Sequence, residues 1–371
     1  MVDFLKQATP GIRGLKPYQP GKPIDELERE YGVSNIIKLA SNENPLGPSP
    51  SALAAMQSAM QSVWLYPDGN GFELKSKLAA KHGVSIDQIT LGNGSSDVLE
   101  FAIRCFVTPE DEVLFSEHAF ALYPILTRAV GATAVAAEAK DWGYDLDALR
   151  RSINDRTRVI FIANPNNPTG TWLRSVELES FIADVPEQIL VVIDEAYYDY
   201  AYHPDTGADD YPDCMAWIGT YPNLMVARTF SKSHGLAGLR VGYSVSDPQV
   251  ADLMNRVRPP FNVNSMALAA AAASLDDEDH LKVSLEMNAA GLRQLENAFD
   301  EMGLDFIPSV ANFISIDVGR PGVDVFEALL HEAVIVRPVA NYGMPQHIRV
   351  TVGRPEENER FIESLKKVLI Y

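Results

Sequence analysis

The chain has 371 residues, of which 46% are hydrophobic and 22% charged, and its formal net charge at pH 7 is −19. This length allows a large core and predicts two lobes rather than one. The acidic balance argues against a nucleic-acid partner, because binding a phosphate backbone needs a net basic face. Any anion-binding site is therefore expected to be local.

Two cysteines, Cys105 and Cys214, are too few for a disulfide framework, so a cytoplasmic, reducing location is the default expectation. The N-terminal residues lack the apolar core of a signal peptide. The longest run of small apolar residues, 266–275, is too short to span a bilayer. We therefore expect no membrane role.

The first region, residues 1–50, is rich in proline and glycine. This composition predicts an irregular arm, of the kind that often wraps a partner subunit, together with part of a smaller domain. Residues 51–260 alternate helical patterns with short apolar runs, which predicts a large α/β domain whose mostly parallel sheet is covered by helices on both faces. The apolar runs lie at 88–91, 112–115, 159–163, 189–193 and 224–227.

The last region, residues 261–371, predicts a smaller α+β domain. It combines a long amphipathic helical pattern at 281–302 with strand candidates at 313–316, 333–337 and 347–351.

Lys232 is the most informative residue of the chain. It lies among hydroxyl residues on a glycine-rich turn that follows the apolar run 224–227, and Arg240 comes eight positions later. This pattern fits an amine that forms a Schiff base beside an anion-binding pocket. A solvated surface lysine is the simpler alternative, so the assignment depends on other strand ends.

The segment after the first large-domain strand, Gly92-Asn93-Gly94-Ser95-Ser96-Asp97, leads into an apolar helical pattern. Two hydroxyls at a helix N-terminus make a phosphate cradle, so Ser95 and Ser96 are candidate phosphate ligands. Asp97 and Glu100 have the spacing of a capping box, and helix capping would explain the presence of Asp97 without a role in ligand binding. The run lacks the third glycine of a dinucleotide-binding motif.

Two further strand ends carry polar residues. The stiff turn Asn164-Pro165-Asn166-Asn167-Pro168-Thr169-Gly170 presents Asn167 as a candidate hydrogen-bond donor, although a plain turn is the alternative. Asp194 ends the next buried strand, where a carboxylate needs a cation, and a protonated pyridine nitrogen is one such cation. The alternative is a Walker-B-type metal site, which is not favoured because the G-x-x-x-x-G-K-S/T phosphate loop that accompanies it is absent from the sequence.

Together, Asn167-Pro168-Thr169-Gly170, Asp194-Glu195-Ala196-Tyr197, Ser231-Lys232 and Arg240 resemble the motifs of fold-type I, pyridoxal-phosphate-dependent aminotransferases of class I and II. Within that family the chain is similar to the histidinol-phosphate aminotransferases, from about residue 15 to residue 353. The resemblance implies a large cofactor-binding α/β domain, a smaller α+β domain and an N-terminal arm.

The resemblance implies that Lys232 forms the internal aldimine with pyridoxal 5′-phosphate and then moves a proton between the substrate Cα and C4′. Asp194 would keep the pyridine nitrogen protonated, while Tyr197 and Asn167 would hydrogen-bond the phenolic oxygen. The residues implied to hold the cofactor phosphate are Ser95, Ser96, Thr229, Ser231 and Arg240, and a bidentate arginine suits that role.

Two aromatic residues complete the implied cofactor site. Phe120 would stack on the ring, at a position that tyrosine often fills in relatives, and core packing is the alternative. Tyr66 would reach the cofactor phosphate of the neighbouring subunit, which implies an obligate homodimer with a shared active site.

The residues implied to bind substrate are Tyr18, Arg337 and Arg349, with Asn264 as a further candidate. They would bind the phosphate of L-histidinol phosphate in one half-reaction and the carboxylates of 2-oxoglutarate in the other. The expected reaction is a ping-pong transamination in histidine biosynthesis that yields imidazole acetol phosphate and L-glutamate.

Three other functions fit parts of the pattern. An aromatic amino-acid aminotransferase would use the same apolar pocket without a second phosphate site. A decarboxylase acting on a phosphorylated amino acid remains an option, because one scaffold hosts several reactions. A cofactor-sensing regulator would need a basic DNA-binding module, which does not fit this acidic chain.

Overall fold

A computed structural model describes residues 2–18, 20–206, 208 and 210–370. Its strands, in chain order, are β1 (Ile37–Lys38), β2 (Ile89–Gly92), β3 (Glu112–Ser116), β4 (Thr133–Ala137), β5 (Ala139–Lys140), β6 (Gly143–Tyr144), β7 (Thr157–Ala163), β8 (Leu190–Asp194), β9 (Leu224–Thr229), β10 (Gly242–Ser246), β11 (Phe306–Ile307), β12 (Phe313–Asp317), β13 (Val334–Ile335), β14 (Arg337–Pro338) and β15 (His347–Thr351).

The α-helices, in chain order, are α1 (Phe4–Gln7), α2 (Pro10–Arg13), α3 (Ile24–Tyr31), α4 (Pro50–Ala59), α5 (Phe72–His82), α6 (Ser95–Phe106), α7 (Leu122–Ala129), α8 (Leu146–Ser152), α9 (Ser175–Asp184), α10 (Tyr198–Ala201), α11 (Pro248–Val257), α12 (Ser265–Ser274), α13 (Glu278–Met302), α14 (Gly322–His331) and α15 (Pro355–Ile370). None of the described helices is long and apolar enough to cross a membrane.

The large sheet has seven strands in the order β2-β10-β9-β8-β7-β3-β4. The pairs from β9 to β4 are parallel, whereas β10 is antiparallel to both β2 and β9. Every residue of β8 and β9 is buried, as expected for parallel strands covered on both faces. The prediction of a mostly parallel sheet is confirmed, and the carboxyl ends of β7, β8 and β9 lie side by side.

A second sheet has four antiparallel strands in the order β11-β12-β15-β14. The long helix α13 begins at the cap Asp277, whose side chain accepts from the His280 backbone N–H, and ends at Gly303 in the left-handed region (φ 66°). An apolar cluster joins α13, α14 and α15 to this sheet through side chains such as Phe299, Leu329 and Phe361.

The N-terminal region is more regular than its composition predicted. It contains the short helices α1 and α2, the two-turn helix α3 and the strand β1, which pairs in parallel with β13. Leu27 packs against Leu330 and Ile335, so α3 is held by tertiary contacts that a local proline count cannot show. The predicted domain boundaries after residues 50 and 260 stay predictions.

Candidate active site

One cavity of about 270 Å³, here called the main cavity, opens at the carboxyl ends of the large sheet. It brings together nearly all the residues that the sequence singled out. The predicted residues that line it are Tyr18, Ser95, Ser96, Phe120, Asn167, Asp194, Tyr197, Thr229, Ser231, Lys232, Arg240, Arg337 and Arg349. Tyr66 and Asn264 lie outside it.

Lys232 follows β9 on a tight turn and points its amine into the main cavity. Its Nζ donates to the Ser41 carbonyl at 3.3 Å and lies 5.5 Å from the centre of the Tyr197 ring. Burial and the neighbouring Arg349 lower the pKa of Lys232 to about 8. A substantial fraction of the amine is therefore neutral near pH 8, as a nucleophile requires.

Asp194 is the last residue of β8 and is 5% exposed. Its Oδ2 accepts a hydrogen bond from the Tyr123 hydroxyl at 2.9 Å, while Oδ1 is buried without a partner. Burial raises the pKa of Asp194 to about 6, against the opposing effect of the Tyr123 hydroxyl. A cationic N–H placed at Oδ1 would satisfy the orphaned oxygen and restore the charged form.

Tyr197 is buried beside the same strand end. Its hydroxyl accepts a hydrogen bond from Asn42 Nδ2 at 2.8 Å, and its ring meets Phe313 edge-on at 5.2 Å. Burial raises the pKa of Tyr197 to about 12, so the hydroxyl keeps its proton and remains a donor.

Asn167 lies at the end of the turn that follows β7. Its Oδ1 accepts a hydrogen bond from Arg349 Nη1, which fixes the orientation of the amide. Asn167 Nδ2 has no hydrogen-bond partner among the described residues and is left as a donor toward the main cavity. The donor role implied for Asn167 stays a prediction.

The N-terminus of α6 carries Ser95 and Ser96 as its first two residues. The N-cap is Gly94 (φ 83°), and no side chain caps the helix, so its first backbone N–H groups are left without a side-chain partner where Ser95 and Ser96 line the main cavity. The capping-box interpretation of Asp97 is wrong, because the helix begins two residues earlier. Asp97 instead accepts from the Asn93 backbone N–H at 2.9 Å.

The Arg240 guanidinium also lies next to the N-terminus of α6. Its backbone is in the left-handed region (φ 55°), and its Nη1 donates to Ser231 Oγ at 3.3 Å. The Thr229 hydroxyl donates to Ser231 Oγ at 3.0 Å. These hydroxyls, the guanidinium and the open helix end form a polar cradle for a dianion.

Arg337 and Arg349 lie directly opposite each other on the antiparallel strands β14 and β15. Residues paired in this way project to the same face, and like charges there are destabilising. Arg349 Nη2 donates to the Ala40 carbonyl at 2.9 Å, while its Nε is buried without a partner. The guanidinium of Arg337 lies 5.9 Å from the centre of the half-exposed Tyr18 ring.

The Phe120 ring lines the main cavity and meets Tyr123 edge-on at 5.8 Å. It is only partly buried where it lines the cavity, so part of the ring is accessible to a planar ligand.

Two predicted residues lie elsewhere. Asn264 caps α12, because its Oδ1 accepts from the Ala267 backbone N–H at 2.9 Å while Nδ2 donates to the Leu239 carbonyl. The structure therefore does not bring Asn264 into the main cavity of its own chain. Tyr66 is 82% exposed and stacks on Phe261 at 4.7 Å.

Sequence reasoning missed several contributors to the main cavity. Asn42 contacts Tyr197 from 155 positions away, and Tyr123 contacts Asp194 from 71 positions away. Ser41 and Glu43 line the cavity within a region that was predicted to be an irregular arm. The polar run Ser41-Asn42-Glu43-Asn44 was the available signal. Within the described residues no cluster of His, Cys, Asp or Glu side chains could hold a metal ion.

Comparisons with known proteins identify the family. The family model for aminotransferase class I and II matches residues 34–365. Histidinol-phosphate aminotransferase 1 of Nitrosococcus oceani is 58% identical over 99% of this chain and 98% of its own length. Histidinol-phosphate aminotransferase 2 of Pseudomonas aeruginosa is 55% identical over the full length of both chains.

Solved structures agree. The histidinol-phosphate aminotransferase of Sinorhizobium meliloti, crystallised in complex with pyridoxal-5′-phosphate, superposes with a TM-score of 0.88 at 29% identity, over 98% of this chain and 97% of that one. The aspartate aminotransferase of Thermus thermophilus with maleate gives a TM-score of 0.83 at 21% identity, over 97% of this chain and 99% of that one, which supports the fold alone. The chain belongs to the class I and II aminotransferases and, among them, to the histidinol-phosphate aminotransferases.

Proposed function

We propose that this chain is the pyridoxal-phosphate-dependent transaminase of histidine biosynthesis that acts on L-histidinol phosphate and 2-oxoglutarate. The reaction gives imidazole acetol phosphate and L-glutamate. The full-length similarity to histidinol-phosphate aminotransferases supports this activity over the aromatic, decarboxylase and regulator alternatives. A cytoplasmic location, expected from the cysteine usage, stays a prediction.

The residues of the main cavity fit this cofactor. The unpartnered Asp194 Oδ1 suits a protonated pyridine nitrogen, and the open end of α6 with Arg240 and Ser231 suits the phosphate. A Cβ at Gly94 would come within 2.4 Å of Arg240 Nη2, so only glycine leaves the arginine its place in the cradle. Phe120 would cover the ring.

When bound, the cofactor supplies an electron sink for the electron pair that remains after the substrate Cα loses its proton. Lys232 is the amine placed to take that proton, and its lowered pKa lets it act as a base near neutral pH. Asp194 holds a proton on the pyridine nitrogen. Tyr197 and Asn167 donate hydrogen bonds that orient the phenolic oxygen. Both amino donors use the one cavity in turn, which gives ping-pong kinetics.

The observation that carries the substrate assignment is the cross-strand pair Arg337 and Arg349. Two like charges directly opposite each other are stabilised by a shared anion, and a phosphate monoester can bridge both guanidinium groups. Tyr18 adds a hydroxyl beside them. The same pair would hold a carboxylate of glutamate or 2-oxoglutarate in the other half-reaction.

The test is Arg337→Ala. Loss of a charge-assisted hydrogen bond of about 1.5–3 kcal/mol corresponds to a fall in kcat/KM of roughly 10- to 100-fold with L-histidinol phosphate. L-phenylalanine offers the arginine pair a singly charged carboxylate in place of the phosphate dianion, so its kcat/KM should fall less. If Arg337→Ala spares turnover of L-histidinol phosphate, the substrate assignment is wrong.

We further propose a homodimer in which Tyr66 reaches the cofactor phosphate of the neighbouring subunit. Tyr66 belongs to an exposed apolar group, which a monomer would leave in water. Its members are Met60, Val63, Trp64, Leu65, Tyr66, Phe72 and Phe261. A second copy of the chain is the partner that would cover this surface.

A further inference from the structure

The charges inside the main cavity are unevenly divided. Its charged side chains are four cations and two carboxylates, namely Lys232, Arg240, Arg337, Arg349, Asp194 and Glu43. In the proposed function Asp194 serves the pyridine nitrogen. Glu43 is therefore the one carboxylate among the described lining residues that remains for a substrate.

Glu43 is held in place on both sides. Asn42, in the left-handed region (φ 56°), donates to the Tyr197 hydroxyl at 2.8 Å, and Asn44 donates to the Ser233 carbonyl at 2.8 Å. The Glu43 carboxylate accepts from Lys38 Nζ at 2.8 and 3.0 Å. With 44% of its side chain exposed, the carboxylate is oriented but still open to a ligand.

Two parts of L-histidinol phosphate already have partners. The phosphate is assigned to Arg337 and Arg349. The amino group must replace the amine of Lys232, whose Nζ bonds to the Ser41 carbonyl and forms no ion pair with Glu43. Glu43 acts on that amine electrostatically without pairing with it, and the imidazole ring is the part of the substrate that has no other assigned partner.

An imidazole ring always carries at least one N–H, in either tautomer and in the protonated form. A carboxylate is the strongest acceptor a protein can offer to that N–H. We propose that Glu43 recognises the imidazole ring of the phosphorylated substrate by accepting a hydrogen bond from its N–H. This inference rests on the proposed function and names the residue that distinguishes the imidazole from a plain aromatic ring.

The same arrangement tolerates the second substrate. A free carboxylate in the cavity would repel the dicarboxylates glutamate and 2-oxoglutarate, but Lys38 partly neutralises Glu43. The carboxylates of those substrates are assigned to the arginines instead. Glu43 should therefore matter far more for the imidazole substrate than for glutamate.

The test compares two amino donors that differ only in the ring. L-histidinol phosphate and L-phenylalaninol phosphate are each reacted with the cofactor-loaded protein, and single-turnover rates over a concentration series give their specificity ratio. Glu43→Leu should reduce the preference for the imidazole donor at least 10-fold, because its N–H then loses its acceptor. Glu43→Gln, which keeps a neutral acceptor, should give a smaller loss.

The matched control is Glu26→Gln, which removes a carboxylate from a groove next to the main cavity and should leave the ratio unchanged. The inference is overturned if Glu43→Leu slows both ring types and L-glutamate by one common factor, because Glu43 would then act on Lys232. It is also overturned if the ratio stays constant in both Glu43 variants. If the unaltered protein barely uses L-histidinol phosphate, the proposed function fails instead, whatever the variants do.

Discussion

The buried carboxylate of Asp194 lowers the stability of the folded apo protein. Burial raises its pKa to about 6, so above that pH the folded apo protein holds a poorly solvated carboxylate. Because the folded pKa exceeds the unfolded one, the penalty is absent at low pH and complete well above pH 6. A cation at Oδ1 relieves it, which couples cofactor binding to stability.

Asp194→Asn should therefore stabilise the apo protein while abolishing transamination. Raising the pKa of Asp194 from 3.8 to about 6 corresponds to about 2–3 kcal/mol at pH 8, and the advantage of the variant should shrink as the pH falls through 6 toward 4. Thermal melting of both apo proteins across this range measures the effect. An Asp194→Asn protein that melts below the unaltered one at pH 8 would contradict the burial argument.

Lys232 gives a second prediction at the residue scale. Only the neutral amine attacks the cofactor aldehyde, and its pKa is lowered from 10.5 to about 8. The rate at which the apo protein captures pyridoxal 5′-phosphate should rise with pH to a plateau, with its midpoint near 8. Stopped-flow absorbance would measure this rate. A midpoint near 10 would show that burial does not lower the pKa of Lys232.

A pair of arginine variants tests the cause of the lowered pKa. Arg349 is the neighbouring charge that lowers the pKa of Lys232 most, so Arg349→Met should move the midpoint upward. Arg354 is exposed, outside the main cavity, and Arg354→Met should leave the midpoint in place.

Among the helices and strands, α6 has a functional end, because no side chain caps the backbone N–H groups of its first turn. Free N–H groups and the helix dipole make this end a site for an anion. Gly94, the residue before it, has a positive φ (83°), and a Cβ there would lie 2.4 Å from Arg240 Nη2. The turn between β2 and α6 can therefore bind a phosphate, and Gly94 is part of this site.

Gly94→Ala tests this unit. A Cβ at that position meets Arg240 Nη2 at 2.4 Å and also disfavours the positive φ, so cofactor affinity should fall at least 10-fold. The control is Gly238→Ala, where a Cβ meets nothing within 4 Å. Equilibrium titration with pyridoxal 5′-phosphate gives both affinities. Equal affinities for the two variants would show that the N-terminus of α6 does not bind the cofactor phosphate.

Which elements could be predicted depends on the source of their stability. The strands β3, β7, β8 and β9 are continuous apolar runs, and a parallel sheet demands that pattern. The antiparallel β10 was missed, because its Ser244 and Ser246 are polar yet completely buried. The alanine-rich β4 was missed because alanine has little intrinsic preference for strands.

Some residues of the candidate site could be predicted from local sequence, and others could not. Lys232, Asp194 and Arg240 follow buried strands or a glycine-rich turn, so local sequence was enough to find them. Asn42 and Tyr123 act by contacting distant residues, and nothing local marks such a contact. The pairing of Arg337 with Arg349 depends on the register of β14 against β15, which only the folded chain defines.

At the scale of the whole molecule, the proposed dimer predicts that active sites are shared. Lys232→Ala and Tyr66→Ala homodimers should both be impaired, the second by weak cofactor binding. A mixed dimer would contain one intact site, made from the lysine of one subunit and the tyrosine of the other. Unfolding and refolding the two variants together should therefore recover activity at limiting cofactor. Activity no higher than the average of the parents would mean that each chain forms its own site.

The proposed function requires the main cavity to select a phosphorylated imidazole amine. The most direct measurement is a spectral titration of the purified, cofactor-loaded protein with L-histidinol phosphate and, separately, with L-phenylalanine. The cofactor absorbance should change at a much lower concentration of L-histidinol phosphate. A preference for L-phenylalanine would contradict the assignment in favour of the aromatic enzyme, and no spectral change with either amine would contradict transamination at Lys232.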